Sequence, residues 1–233
     1  MKIRFHLLGI LSMAGTLVGC QEDNYTAPKS MLSGKLVYQG EPIGVEYNQV
    51  RFQLWQPGWG KLGGLDVNID QSGSYSSQLF NGDYKLAFLV GRGPFQTIIK
   101  DQTARDTIYI QLTGDKTLDI EVLPYYLIRN AKFTSESRKI SGTASIDKII
   151  NDASARDIER ISLYINKTSI VSVANNIAVA NLTGDEVAQL NTASLSATVP
   201  VIAPNQNYVY ARIGVKIKGI EDMILSPVTK VDL

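Results

Sequence analysis

SGKLVYQGEPIGVEYNQVRFQL, residues 33–54, is the stretch on which the fold turns. Its first part places Leu36 and Tyr38 on one face and Lys35, Val37 and Gln39 on the other, and GEPIG, residues 40–44, turns the chain. Val50, Phe52 and Leu54 then alternate with Arg51, Gln53 and Trp55. A period of two residues is the signature of a strand with one buried and one wet face. Pro57-Gly58 supplies the next turn.

The same pattern runs outward in both directions. Leu65, Val67 and Ile69 alternate with Asp66, Asn68 and Asp70; Tyr84, Leu86, Phe88 and Val90 follow the turn residues Asn81-Gly82. Ile108, Ile110 and Leu112, then Leu118, Ile120 and Val122, continue it to Pro124. These short strands predict a seven-strand-type sandwich of about ninety residues. From Tyr125 a second set begins, closing with NQNYVYARIGVKIKGIEDMILSPVTKVDL, residues 205–233. LTGDEVAQLN, residues 182–191, carries Thr183 as a helix N-cap with Glu186 three positions on, and predicts a turn or two of helix.

The N-terminal residues have a different character. Met1, Lys2 and Arg4 precede a mostly apolar run from Phe5 to Val18, the anatomy of a secretory signal and too short for a mature membrane span. Leu17, Val18, Gly19 and Cys20 resemble the bacterial lipobox, which implies cleavage before Cys20 and acylation of its thiol. The polar residues Gln21, Glu22 and Asp23 that follow resemble a surface-export signal of Bacteroidetes lipoproteins. The expected location is therefore the outer membrane, lipid-anchored, at the cell surface. The expected organisation is a signal peptide over 1–19, a lipidated tether over 20–31, a first sandwich over 32–124 and a second over 125–233.

Composition then removes several chemistries. Taking Lys2 and Arg4 from the 23 basic residues leaves 21 against 22 acidic ones, so no net field draws nucleic acid. The single histidine, His6, and the single cysteine, Cys20, both belong to the leader and its cleavage site. Histidine-based triads, cysteine nucleophiles and the common zinc sites are thereby excluded from the mature chain. No catalytic residue, metal or cofactor is expected, and the chain reads as a non-enzyme.

Gly40, Pro42 and Ile43, then Asp70, Gly73 and Tyr75, then Gly82 and Tyr84, resemble the marks of the carboxypeptidase-regulatory, or prealbumin-like, sandwich. Tyr208, Tyr210, Arg212 and Gly214, followed by Ser226-Pro227-Val228, look like the last strands of a fibronectin III or immunoglobulin-like sandwich. With DNYTAP (23–28) and IEVLPYYLI (120–128), the whole arrangement resembles a Bacteroidetes lipoprotein family of unknown function, whose genes often lie beside starch-utilisation-type import loci. The resemblance implies an all-β chain of two tandem sandwiches, prealbumin-like then fibronectin III-like. It specifies fold and leaves activity open.

Three groups of residues invite a functional reading. Trp55 and Trp59 flank Gln56-Pro57-Gly58; exposed, they would stack on pyranose faces with Gln53 or Lys61 bonding hydroxyls, and buried, they would cap the core. Tyr125-Tyr126 poses the same alternative, with packing at the domain join favoured. Asp66, Asn68, Asp70, Ser72 and Gly73 have the opening spacing of a calcium loop, but Gly73 is misplaced for one and no glutamate closes it. The expected role is a non-catalytic accessory of polysaccharide capture, partnered by a membrane through its lipid, by polysaccharide and by an outer-membrane import complex. The alternative is a structural or adhesive module docking on a transporter or fimbrial partner.

Overall fold

The computed structural model describes residues 26–58, 63–89, 91–98, 107–187 and 191–233. Ten strands precede Tyr125: β1 (Ser30–Tyr38), β2 (Glu41–Pro42), β3 (Arg51–Trp55), β4 (Leu65–Asn68), β5 (Ser74–Leu79), β6 (Gly82–Phe88), β7 (Phe95–Thr97), β8 (Thr107–Leu112), β9 (Lys116–Thr117) and β10 (Ile120–Pro124). Eight follow: β11 (Tyr126–Glu136), β12 (Lys139–Lys148), β13 (Ile158–Asn166), β14 (Ala178–Thr183), β15 (Thr192–Thr198), β16 (Tyr208–Ile217), β17 (Met223–Leu225) and β18 (Thr229–Asp232). The chain is all-β, and its two sets of sheets lie in tandem along the sequence. Among the described residues of the predicted helix there is one 3-10 turn, Gly184–Glu186, whose Glu186 carboxylate accepts from the Thr183 amide at 3.1 Å.

In the first domain one sheet runs β4-β3-β6-β8 and the other β2-β1-β10-β7, with β5 and β9 also paired to β1. Phe52, from the first sheet, meets Tyr75, from the second, edge to face at 4.9 Å between ring centres, which locates the core between them. Each such fully buried apolar side chain contributes about 1.5–3 kcal/mol. The second domain pairs β11-β12-β15 against β14-β13-β16-β17, with β18 extending the edge along β16.

Two expectations are corrected. Among the described residues the first domain has ten strands where the sequence predicts seven, the additional ones being short: β2 and β9 pair with β1, and the three-residue β7 pairs with β10. Val37, expected on the wet face, is buried. The cause is a change of partner along β1: residues 30–35 pair with β5, whereas Leu36 and Val37 pair with β10 and Val37 and Tyr38 with β2. At Asn81-Gly82 the chain passes from one sheet to the other, since β5 pairs with β1 while β6 pairs with β3 and β8.

The two domains are joined by backbone and by charge. Val45 bridges to Ile224, and the Leu225 amide donates to the Gly44 carbonyl at 2.9 Å. Arg212 on β16 is fully buried between them. Its Nε donates to the Ser226 carbonyl at 2.9 Å, Nη1 to Val45 and Val171 at 3.4 Å each, and Nη2 to Gln71 at 3.2 Å. Burial pushes this guanidinium down to about 10, with the Glu46 carboxylate opposing the shift. Glu46 itself accepts from the Val173 amide at 3.0 Å, and Asp222 accepts from the Gly93 amide at 2.7 Å.

Burial also pushes the Asp222 carboxyl above its ordinary range, against the pull of the Gly93 amide, Arg92 and Lys216 and with the help of Glu221. The folded protein therefore holds this proton to higher pH than the unfolded chain does. Its contribution to stability is complete below the ordinary aspartate value and is lost as pH rises through the raised one. Asp222→Asn, which keeps an acceptor for Gly93, is expected to flatten that part of the stability curve and to equal or exceed the parent near neutrality. Urea denaturation across the acid-to-neutral range measures it; an unchanged slope would assign the dependence elsewhere.

Candidate functional site

Strand alternation on β3 sends Phe52 and Leu54 into the core and leaves Trp55 on the outside, where its side chain is 44% exposed. A β carbon on Gly64 would fall 2.8 Å from Cε2 and 2.9 Å from Nε1 of the indole, so the ring lies against bare backbone. That close approach holds the ring in one orientation, which reduces the ordering cost of any contact it makes. Beside it opens a cleft of about 450 Å³ at the end of the sandwich. Leu54, Leu65, Leu79 and Tyr84 form its apolar part, with Trp55 and Gln56 beside them.

Leu65, the first residue of β4, is paired with Leu54 and faces the same way, yet among the described residues it stays 49% exposed. The Tyr84 hydroxyl donates to the Phe80 carbonyl at 2.8 Å, which fixes the ring in the wall. Pro28 also lines the cleft, and its carbonyl accepts from Gln78 Nε2 at 2.8 Å. Pro28, within the expected tether, thus forms part of one wall.

Of the two tryptophans, Trp55 is placed at this rim and Trp59 lies outside the described residues, as does Cys20. Tyr125 and Tyr126 are both buried at the domain join, with the Tyr126 hydroxyl donating to the Arg156 carbonyl at 2.7 Å. The carboxylates of the calcium-like spacing have protein partners. Asp66 pairs with Arg51 at 3.5 Å and accepts from Gln53 at 3.0 Å. One Asp70 oxygen accepts from the Ser72 amide at 2.7 Å, the Ser72 hydroxyl at 2.6 Å and the Ser74 amide at 3.0 Å, so it closes its own turn. Among the described residues no three His, Cys, Asp or Glu side chains converge to hold a metal ion.

The sequence marks Arg212 as part of a closing strand but gives no sign of its burial. Its only signal is a lone cation among Val209, Ala211, Ile213 and Val215, and strand alternation assigns such a residue to solvent. The second domain's outer sheet face is not wet at that point, because the first domain's loops at Val45 and Gln71 cover it.

Fold and site together define an all-β protein of two tandem sandwich-like domains, with an aromatic-rimmed apolar cleft at the end of the first. Residues 30–123 match the model of the DUF3823 protein of unknown function N-terminal domain, and residues 126–230 that of the DUF3823_C domain of unknown function. The chain belongs to the DUF3823 family. It is similar to a crystal structure of a family member from Bacteroides ovatus, at 32% identity over 88% of this chain and 100% of that one, with a TM-score of 0.76. A second, from Parabacteroides merdae, is 28% identical over 89% and 100%, with a TM-score of 0.75. A candidate carbohydrate binding protein from Bacteroides uniformis shares the fold at 17% identity over 88% and 100%, with a TM-score of 0.69. No curated protein matches the chain.

Proposed function

We propose that this protein is a non-catalytic, lipid-anchored accessory of polysaccharide capture at the outer membrane, acting beside an import complex. The observation that carries the reading is the held, half-exposed Trp55 indole at the rim of an apolar cleft, the arrangement that sugar stacking requires. The candidate carbohydrate binding protein of like fold supports it. The resemblance of Leu17, Val18, Gly19 and Cys20 to a lipobox supports the anchor, because multiple acyl chains hold a protein at a membrane where one chain is marginal. Incorporation of labelled palmitate that is abolished by Cys20→Ala tests that part.

Capture is tested by affinity electrophoresis through gels carrying a panel of plant, fungal and host polysaccharides. Trp55→Ala is expected to weaken retention about tenfold, near 1.4 kcal/mol, for whichever polymer binds. Its melting temperature is expected to stay close to the parent's, since the ring is only partly buried. Retention that is identical in the variant would remove this cleft from the binding site. Release of soluble sugars from any of the polymers would show catalysis and overturn the non-catalytic assignment.

A further inference from the structure

Trp55 does not stand alone on its sheet. In the register of β3, β6 and β8, Trp55 is directly opposite Lys85, and Lys85 is directly opposite Tyr109. All three side chains point away from the core, since their neighbours Leu54, Tyr84, Leu86 and Ile110 are buried. Tyr109 is 66% exposed, and the Lys85 ammonium lies 5.6 Å from its ring centre. The outer face of this sheet therefore carries a line of indole, ammonium and phenol across three strands.

From these observations, and resting on the capture reading above, we infer that this sheet face is a binding platform for an extended, uncharged polysaccharide lying across the strands. Trp55 and Tyr109 are two strand spacings apart, about 10 Å, roughly the length of two pyranose units in an extended chain. The two rings stack on alternate sugars, and Lys85 meets the hydroxyls of the sugar between them. Around that line stand Asp83 and Gln111, opposite each other on β6 and β8, and Gln53 on β3. This set holds both donors and acceptors, as sugar hydroxyls demand. Ala87, opposite Gln53, leaves the surface beside the line low.

Charge points to an uncharged polymer. Arg51 on this face is balanced by its ion pair with Asp66 at 3.5 Å, and Lys85 is offset by Asp83 two residues earlier on the same strand face. Balanced in this way among the described residues, the face neither attracts a polyanion nor repays its desolvation. The line is also continuous with the cleft through Trp55, so one end of the bound chain reaches the apolar pocket.

Chain length separates this platform from the cleft alone. The probes are cello-, xylo-, manno- and malto-oligosaccharides from disaccharide to octasaccharide, with polygalacturonate as the charged counterpart, titrated calorimetrically. Tyr109→Ala is expected to bind the hexasaccharide of the preferred series about tenfold more weakly and the disaccharide unchanged, while Tyr109→Phe binds both as the parent does. Trp55→Ala is expected to weaken both lengths. Unaltered hexasaccharide binding by Tyr109→Ala, alongside a loss in Trp55→Ala, would overturn the platform and leave capture at the cleft standing. Tighter binding of polygalacturonate than of every neutral series would overturn the uncharged ligand. No binding of any probe would overturn platform and capture reading together.

Discussion

Arg212→Met is expected to destabilise the protein by about 3–5 kcal/mol, the usual cost of removing one member of a buried charged cluster. The wild-type residue is not cheap to bury, as its depressed proton affinity shows. What decides the sign is the set of groups it serves. Its guanidinium donates to the carbonyls of Ser226, Val45, Val171 and Gln71, which come from both domains and from separate loops. Methionine fills much of the volume but donates to none of them, and each buried acceptor left unpaired costs about 1–3 kcal/mol. Glu46 would also lose the cation that offsets its burial.

For a chain of this size the loss corresponds to a fall in melting temperature of roughly 10 °C. Arg212→Lys is expected to recover little, because one ammonium cannot reach carbonyls arrayed around a planar fork. Scanning calorimetry of the three proteins reads the effect. Because the residue joins the domains, the variants are also expected to unfold in a broader or two-step transition where the parent unfolds in one. Arg212→Met melting within about 2 °C of the parent would show that the junction's strength lies in its apolar contacts and backbone bonds alone.

Gly34→Ala is the second large effect, at about 3 kcal/mol. Gly34 lies in β1 opposite Tyr75 of β5, and a β carbon there would sit 1.9 Å from the Leu118 carbonyl oxygen. That oxygen cannot retreat freely. It accepts from the Tyr75 hydroxyl at 2.5 Å, and its own residue's amide donates to the Ser33 carbonyl at 2.8 Å. One added methyl therefore forces β1 away from the segment running from β9 to β10, breaking bonds on both sides. Chemical denaturation should show a lower midpoint with an unaltered slope. A midpoint equal to the parent's would mean that this segment shifts without loss.

How much of this was legible in the chain follows from which interactions are local. Alternation of Phe52 and Leu54 with Arg51, Gln53 and Trp55 declared both the strand and its wet face, and the structure keeps both. The exposure of Trp55 was left open between sugar stacking and core capping; it depends on Gly64, on another strand's approach, and so on a contact that alternation does not encode. Val37 was misplaced because β1 changes partners within its length.

The all-β class, the tandem arrangement and the lack of any histidine or cysteine after Cys20 can be read along the chain, because strand period, turn residues and composition are properties of neighbouring positions or of none. That Arg212 is enclosed by two domains and that Trp55, Lys85 and Tyr109 share one line is visible only in the folded molecule. Those facts are set by strand order, register and domain docking. Each is a pairing between distant segments, chosen by the packing of the whole core, and no single strand carries the information.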